Sequence, residues 1–236
     1  MSRFTKKIKD KFSHPIQVAI LAAGIGARTK SYEPRCLLKY NSKIILETQL
    51  SVLSERFPKS EISIVCGHDS GRIIKKVGRQ HRIIENQIYE NTNSGESLKL
   101  AVNNSLLDNF MFMHGDLVIS YEIFNSINLN SSFILVDSMN KFEEKEVGVT
   151  VVDGKVSVLS YNLPVKWCQI AYFTGEEMNI LRKLLIRQDF NSKYILTFEI
   201  INKVIELGGS FKSYDIGTSF IKEIDSLKDI NNETTS

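Results

Sequence analysis

Several things are scarce in this chain, and each scarcity excludes something. Among 236 residues there are 3 cysteines, Cys36, Cys66 and Cys168. So few, at such spacing, build neither a disulfide framework nor a metal-ligand set. Cys66 and Cys168 lie in apolar segments and read as small core residues. A reducing, cytoplasmic setting is the expectation. Long apolar runs are missing, and none reaches the roughly 18 residues that a membrane span needs. The first eleven residues carry Arg3, Lys6, Lys7, Lys9 and Lys11 against Asp10, with no apolar stretch among them. They are expected to form a solvated basic arm, residues 1–15, and not a secretory signal. Charge of one sign is not dominant either: the net +3 is small, and neither nucleic acid nor a membrane is expected as a partner. Repeats and low-complexity linkers are absent.

What remains is ordinary. With 42% apolar and 24% charged residues, the composition is that of a globular domain able to bury a useful core. Strand-like apolar runs fall at 16–21, 62–66, 82–85, 110–114 and 133–136. Helical periodicity lies between them, at 47–57 and at 96–107, the latter through Leu98, Ala101, Val102 and Leu106. Strands alternating with helices predict a mostly parallel sheet covered on both faces. The second half differs. Three strand-like runs, 147–152, 155–161 and 167–173, follow closely, with Asp153-Gly154 as a hairpin turn. Helices are expected near 176–187 and 196–207, then short strands at 211–214 and 220–223. Residues 231–236 read as a polar tail.

The most informative stretch is 16–40. The apolar run 18–23 ends at Gly24; Gly26 and Arg28 follow at two-residue steps, then Pro34, Arg35 and Lys39. A buried strand feeding a glycine turn with positive charge suits a polyphosphate, since bare glycine lets backbone N–H groups approach the oxygens. This stretch resembles the signature loop of the nucleotidyltransferases with a GT-A-like Rossmann fold, a group that includes sugar-phosphate nucleotidyltransferases, cytidylyltransferases and MobA-like NTP transferases. Their loop reads Ala-Ala-Gly-x-Gly-x-Arg, a spacer, then Pro-Lys-x-Leu-Leu. Ala22, Ala23, Gly24, Gly26, Arg28, Pro34, Leu37 and Leu38 match. Arg35 stands where the family has lysine, which keeps the charge but changes its shape.

The resemblance implies an α/β fold, a GT-A-like Rossmann three-layer sandwich with a mostly parallel central sheet and a small antiparallel β insertion in the second half. A single domain over residues 16–230 would then bind nucleotide with about 16–136 and acceptor with about 137–230. Leu21, Ala22, Ala23, Gly24, Gly26 and Arg28 would contact the nucleotide. Arg28, Arg35 and Lys39 would act on the triphosphate and the leaving pyrophosphate. Asp116, at the end of the strand-like run 110–114, and Asp225, in the late segment 222–229, would hold Mg2+. A hard cation of that kind wants one or two carboxylates beside phosphate oxygens.

Asn93 and Glu96 read locally as a capping box, yet the segment lies where relatives read the base. Asn93, Ser94, Gly95 and Ser97 are the candidates, and a serine followed by an apolar residue resembles the cytidylyltransferases, which favours CTP. Lys166, Trp167 and Glu199 are candidates for the acceptor. The implied partners are an NTP and a small phosphorylated acceptor such as a sugar 1-phosphate or phosphocholine, and homo-oligomers are left open. The rivals are a GT-A glycosyltransferase, which would usually show Asp-x-Asp where this chain reads His114-Gly115-Asp116, a molybdenum-cofactor guanylyltransferase, and a nucleotide-binding module without turnover.

Overall fold

The computed structural model describes residues 15–24, 33–140, 146–187, 189–225 and 228–231. The basic arm therefore lies outside the described residues, as do Gly26 and Arg28. The chain begins with strand β1 (Gln17–Ala22), then the two-residue strands β2 (Lys39–Tyr40) and β3 (Lys43–Ile44) and helix α1 (Ile45–Arg56). Next come β4 (Glu61–Cys66), α2 (Ser70–Val77), β5 (Arg82–Glu85), α3 (Ser94–Asn103), β6 (Phe110–His114), β7 (Leu117–Ile119) and β8 (Phe133–Asp137). The second half contributes β9 (Val147–Val152), β10 (Lys155–Tyr161), β11 (Val165–Phe173), α4 (Gly175–Ile186), α5 (Thr197–Glu206), β12 (Lys212–Asp215), β13 (Ile221–Glu223) and the single turn α6 (Lys228–Asn231).

Nine strands form one sheet in the order β5-β4-β1-β6-β11-β8-β12-β10-β9. The side-chain period of two splits its residues between two faces. Val18 and Ile20 of β1 join one core with Leu53 and Phe57 of the α1 side and Ile73 of α2. Ala19 and Leu21 join the other, with Leu98 of α3, Leu181 of α4 and Ile201 of α5. Helices thus cover both faces, and the first strands are buried on both sides, as parallel strands must be. Among the described residues no helix is long and apolar enough to cross a membrane. All three cysteines are buried and unpaired.

The sheet is mixed, which corrects the mostly parallel expectation. Parallel pairing holds through β5, β4, β1 and β6. Strand β11 is antiparallel to both β6 and β8, and the β9–β10 hairpin extends the same sheet instead of standing apart. The physical reason lies in β11. It pairs with β8 along one edge, at 166–167 and again at 171–172, while along the other edge its first residues pair with β9 and its last four with β6. A bulge between Trp167 and Ala171 makes this possible, with Gln169 held at φ 57. The hairpin turn is as the sequence predicts: Asp153 and Gly154 both have positive φ, 50 and 73, the geometry that matches strand twist.

One local expectation needs correction. Helix α3 ends at Asn103, where the Asn104 N–H folds back to Leu100 O. Leu106 lies beyond it and is 91% exposed, so it is not on the apolar face. Helix α2 and the β2–β3 hairpin were not foreseen. A small satellite core, Leu38, Tyr40, Ile45, Val118 and Ile224, joins the segment after Pro34 to β7 and to the residue after β13.

The turn from β6 to β7 passes close to β1. Gly115 N–H donates to Leu21 O at 2.9 Å, and a Cβ on Gly115 would lie 2.8 Å from Ala22 Cβ. Gly115→Ala is therefore expected to cost about 1–3 kcal/mol through overpacking, measured by urea unfolding. Adding Ala22→Gly should recover part of that loss, and two strictly additive losses would contradict the contact.

Candidate functional site

Two distant segments meet because β13 pairs antiparallel with β7, Glu223 opposite Leu117. One residue further, Ile224 N–H donates to Asp116 O at 3.0 Å. In extended chain, alternate side chains share a face. Ile224 turns into the satellite core, so Glu223 and Asp225 turn the other way, toward Asp116. Carboxylate oxygens of Asp116, Glu223 and Asp225 all lie within 4.8 Å of one another. The third arm comes from Pro34, after which Arg35–Leu37 form one 3-10 turn. Arg35 Nη1 reaches Asp116 Oδ2 at 2.7 Å and Asp225 Oδ1 at 2.8 Å.

The electrostatics follow from burial and crowding. Burial alone would lower the Arg35 pKa, but Asp116, Asp225 and Glu223 together raise it, so the guanidinium is a fixed positive charge. Burial, then repulsion from Asp116 and Asp225, pushes the Glu223 carboxyl up to about 8. Gln169, at the β11 bulge, donates its side-chain amide to Glu223 Oε2. Asp116 is only 6% exposed, and its Oδ1 has no hydrogen-bond partner among the described residues. An orphaned, buried, anionic oxygen beside two further carboxylates fits a hard divalent cation such as Mg2+.

These groups border a cleft of about 460 Å³. On one side stand Leu21, Ala23 and Gly24 at the end of β1, with Asn86, Asn93, Ser94 and Ser97. The other side is formed by Glu146, Tyr161, Trp167, Gln169 and Phe198. Tyr161 and Phe198 make an edge-to-face corner with centroids 5.6 Å apart. His114 lies between; its Nε2 is 3.0 Å from Thr197 Oγ1, and burial lowers its pKa, so it is neutral at physiological pH.

The other predicted residues are placed as follows. Ala22 packs beneath Gly115. Lys39 is exposed on β2 and does not border the cleft. The capping box of Asn93 and Glu96 is not formed. Asn93 Nδ2 donates to Tyr194 O at 2.9 Å, and Glu96 Oε2 accepts from Ser192 Oγ at 2.6 Å, because the segment 192–195 packs on the start of α3. Gly95 serves that packing: its N–H donates to Ile195 O, and a Cβ would lie 2.7 Å from the same oxygen. Ser94 Oγ accepts from Thr197 N–H at 3.1 Å, while buried Ser97 accepts from Asn86 Nδ2. Lys166 pairs with Glu146. Trp167 borders the cleft but is 2% exposed, its Nε1–H spanning the bulge to Ile170 O. Glu199 is turned away from an acceptor role, since its carboxylate caps α5 by accepting from Leu196 N–H at 2.6 Å.

Sequence reasoning missed Glu223, Gln169, Asn86, Tyr161 and Phe198. Only Glu223 left a signal, standing two residues before Asp225 in an extended run.

Residues 18–127 match the family model described as MobA-like NTP transferase domain. The match includes Asp116 but stops before Glu223 and Asp225. Solved structures resemble the chain over nearly its whole length. One is the inositol-1-phosphate CTP transferase from T. maritima, with TM-score 0.77 and 16% identity, covering 94% of each chain. Another is CTP:phosphocholine cytidylyltransferase (LicC) from Streptococcus pneumoniae, with TM-score 0.74 and 18% identity, covering 92% of this chain and 96% of that one. A third is HddC from Yersinia pseudotuberculosis, with TM-score 0.69 and 15% identity, covering 90% and 95%. At such identities the likeness defines the fold. A comparison with curated proteins returned no match.

The Glu223 carboxyl carries a pH signature. Its folded pKa, about 8, lies above the ordinary 4.5. Its contribution to stability is therefore complete below pH 4.5 and is lost as pH rises to about 8, because the unfolded chain gives up the proton first. Glu223→Gln is expected to flatten that decline in metal-free protein, as followed by urea midpoints across the same window. An unchanged slope would remove the assignment.

Proposed function

We propose that the protein is a Mg2+-dependent nucleotidyltransferase that moves an NMP group from an NTP, CTP favoured, to a phosphomonoester and releases pyrophosphate. The observation that carries this reading is the meeting of Asp116 and Asp225 on one guanidinium, in a cleft edged by Gly24. Asp116 and Asp225 would hold the Mg2+, which when bound supplies charge neutralisation to the phosphates.

The chain's own groups divide the remaining work. An anionic oxygen of the acceptor phosphate attacks the α-phosphorus, and the bond to the β-phosphate oxygen breaks. That nucleophile needs no general base, in keeping with a neutral His114 engaged by Thr197. Arg35 supplies positive charge where pyrophosphate leaves, and most of the acceleration comes from positioning and charge stabilisation. Asn86, Ser94 and Ser97 offer the short polar groups that suit a pyrimidine edge.

Of the two acceptor classes, the second wall favours phosphocholine over a sugar 1-phosphate. Tyr161 and Phe198 line the cleft with aromatic surface, which suits a quaternary ammonium, and Glu146 adds negative charge to the same wall. A sugar would call for a denser array of hydrogen-bonding groups there.

Pyrophosphate release, assayed for each NTP against a panel of phosphomonoesters, tests the reading. CTP with phosphocholine should be the best pair, a chelator should abolish turnover, and Asp116→Ala should lower kcat by about 10²-fold or more. Nucleotide binding without turnover for any acceptor would leave only a binding module.

A further inference from the structure

The carboxylates that would receive a divalent cation are already bridged by a side chain of the protein. A single nitrogen, Arg35 Nη1, bonds a carboxylate from each end of the fold, Asp116 at 2.7 Å and Asp225 at 2.8 Å. An ion held by the same oxygens would compete with that nitrogen and be repelled by its charge at contact range. The bridge is also incomplete, since Asp116 Oδ1, on a residue 6% exposed, keeps no partner. The guanidinium thus compensates the cluster without saturating it.

The other end of the fork points elsewhere. A Cβ placed on Gly24 would lie 3.9 Å from Arg35 Nη2, so the second nitrogen lies toward Gly24 at the end of β1 while the first stays on the carboxylates. A guanidinium has five N–H donors in a rigid plane, and it pairs readily with phosphate. A lysine would offer a single nitrogen in place of this two-ended fork. Arg35 can exchange a carboxylate for a phosphate by a side-chain rotation, without moving the buried turn that carries it.

We propose that Arg35 is a built-in counter-ion which closes the Asp116–Asp225 pair in the nucleotide-free protein, and that the triphosphate draws it off, so that the divalent cation is taken up with the nucleotide and not ahead of it. The role given to the triphosphate rests on the nucleotidyltransferase reading; the exclusion of metal by Arg35 does not. If the open arrangement makes up about 1–10% of the free protein, the apparent affinity for metal alone falls by about 10–100-fold. Reciprocity then requires nucleotide and metal each to strengthen the other's binding.

The experiment is a titration with Mn2+ alone, followed by electron paramagnetic resonance, on the wild type and on Arg35→Gln. The wild type should bind weakly, and the variant about tenfold tighter or more. A folded Arg35→Gln protein with unchanged or weaker Mn2+ affinity would overturn the proposal. Should the variant fail to fold, NMR of labelled arginine in the wild type decides. Saturating Mg2+ should release the restrained Arg35 guanidinium; signals that stay unmoved at saturation would overturn the exchange. Tighter Mn2+ binding in the variant, with no turnover by the wild type for any NTP and acceptor, would keep the exclusion and remove the enzyme reading. Turnover with Mn2+ affinity unmoved by Arg35→Gln would do the reverse.

Discussion

A three-residue antiparallel pairing, β13 on β7, decides where the chemical groups of this protein lie. Strand pairing has a side-chain period of two, so a slip of one residue would send Glu223 and Asp225 into the satellite core and Ile224 into the cleft. Burying two carboxylates among Leu38, Tyr40, Ile45 and Val118 is prohibitive without partners. Ile224, fully buried there, therefore fixes the register by exclusion. The same small core supports the turn that carries Arg35 and the strand after Asp116, so all three arms of the site share one foundation.

Electrostatics then sets the character of that site. Three carboxylates within 4.8 Å would force one another apart or take up protons, and the structure meets this in several ways. Arg35 neutralises two of them, the rise in the Glu223 pKa makes its protonated form the resting one, and Gln169 offers an amide to the same group. The amide costs backbone strain, since Gln169 sits in the left-handed region, where a side chain is disfavoured by roughly 1–3 kcal/mol. That strain falls at a bulge in β11, which pairs with β8 along one edge and with β9 and then β6 along the other. One irregular residue thus joins the sheet's two pairing regimes and borders the cleft.

Much of this was legible in the residues. Buried strands announce themselves as apolar runs, so β1, β4, β6 and β8 were placed within a residue or so, and Asp153-Gly154 marked its hairpin. Asp116 stood out as a carboxylate at the end of such a run. Less legible was whatever depends on contacts between segments far apart. Asn93 and Glu96 have the spacing of a capping box, but segment 192–195 offers both side chains other partners. Glu199 read as an exposed helix residue near the acceptor and proves to be a cap. Helix α2 is short and begins from Asp69 in the left-handed region, with only Ile73 and Val77 buried, too little apolar pattern to register. The antiparallel strands of the second half were expected as a small insertion, and their place inside the central sheet was missed because it depends on the neighbours of β11 and not on its own residues.

The order of the arms along the chain has a consequence for how the protein is made. Asp116 and Arg35 emerge during synthesis about a hundred residues or more before Glu223, the partner of Leu117. Until β13 arrives, β7 has an open edge and Asp116 lacks both its acidic neighbours. The three-carboxylate cluster is therefore assembled among the last described parts of the chain, after all nine strands of the sheet have been made. A nascent chain that stalls before residue 221 holds Arg35 and one of the three carboxylates, and cannot gather the cluster.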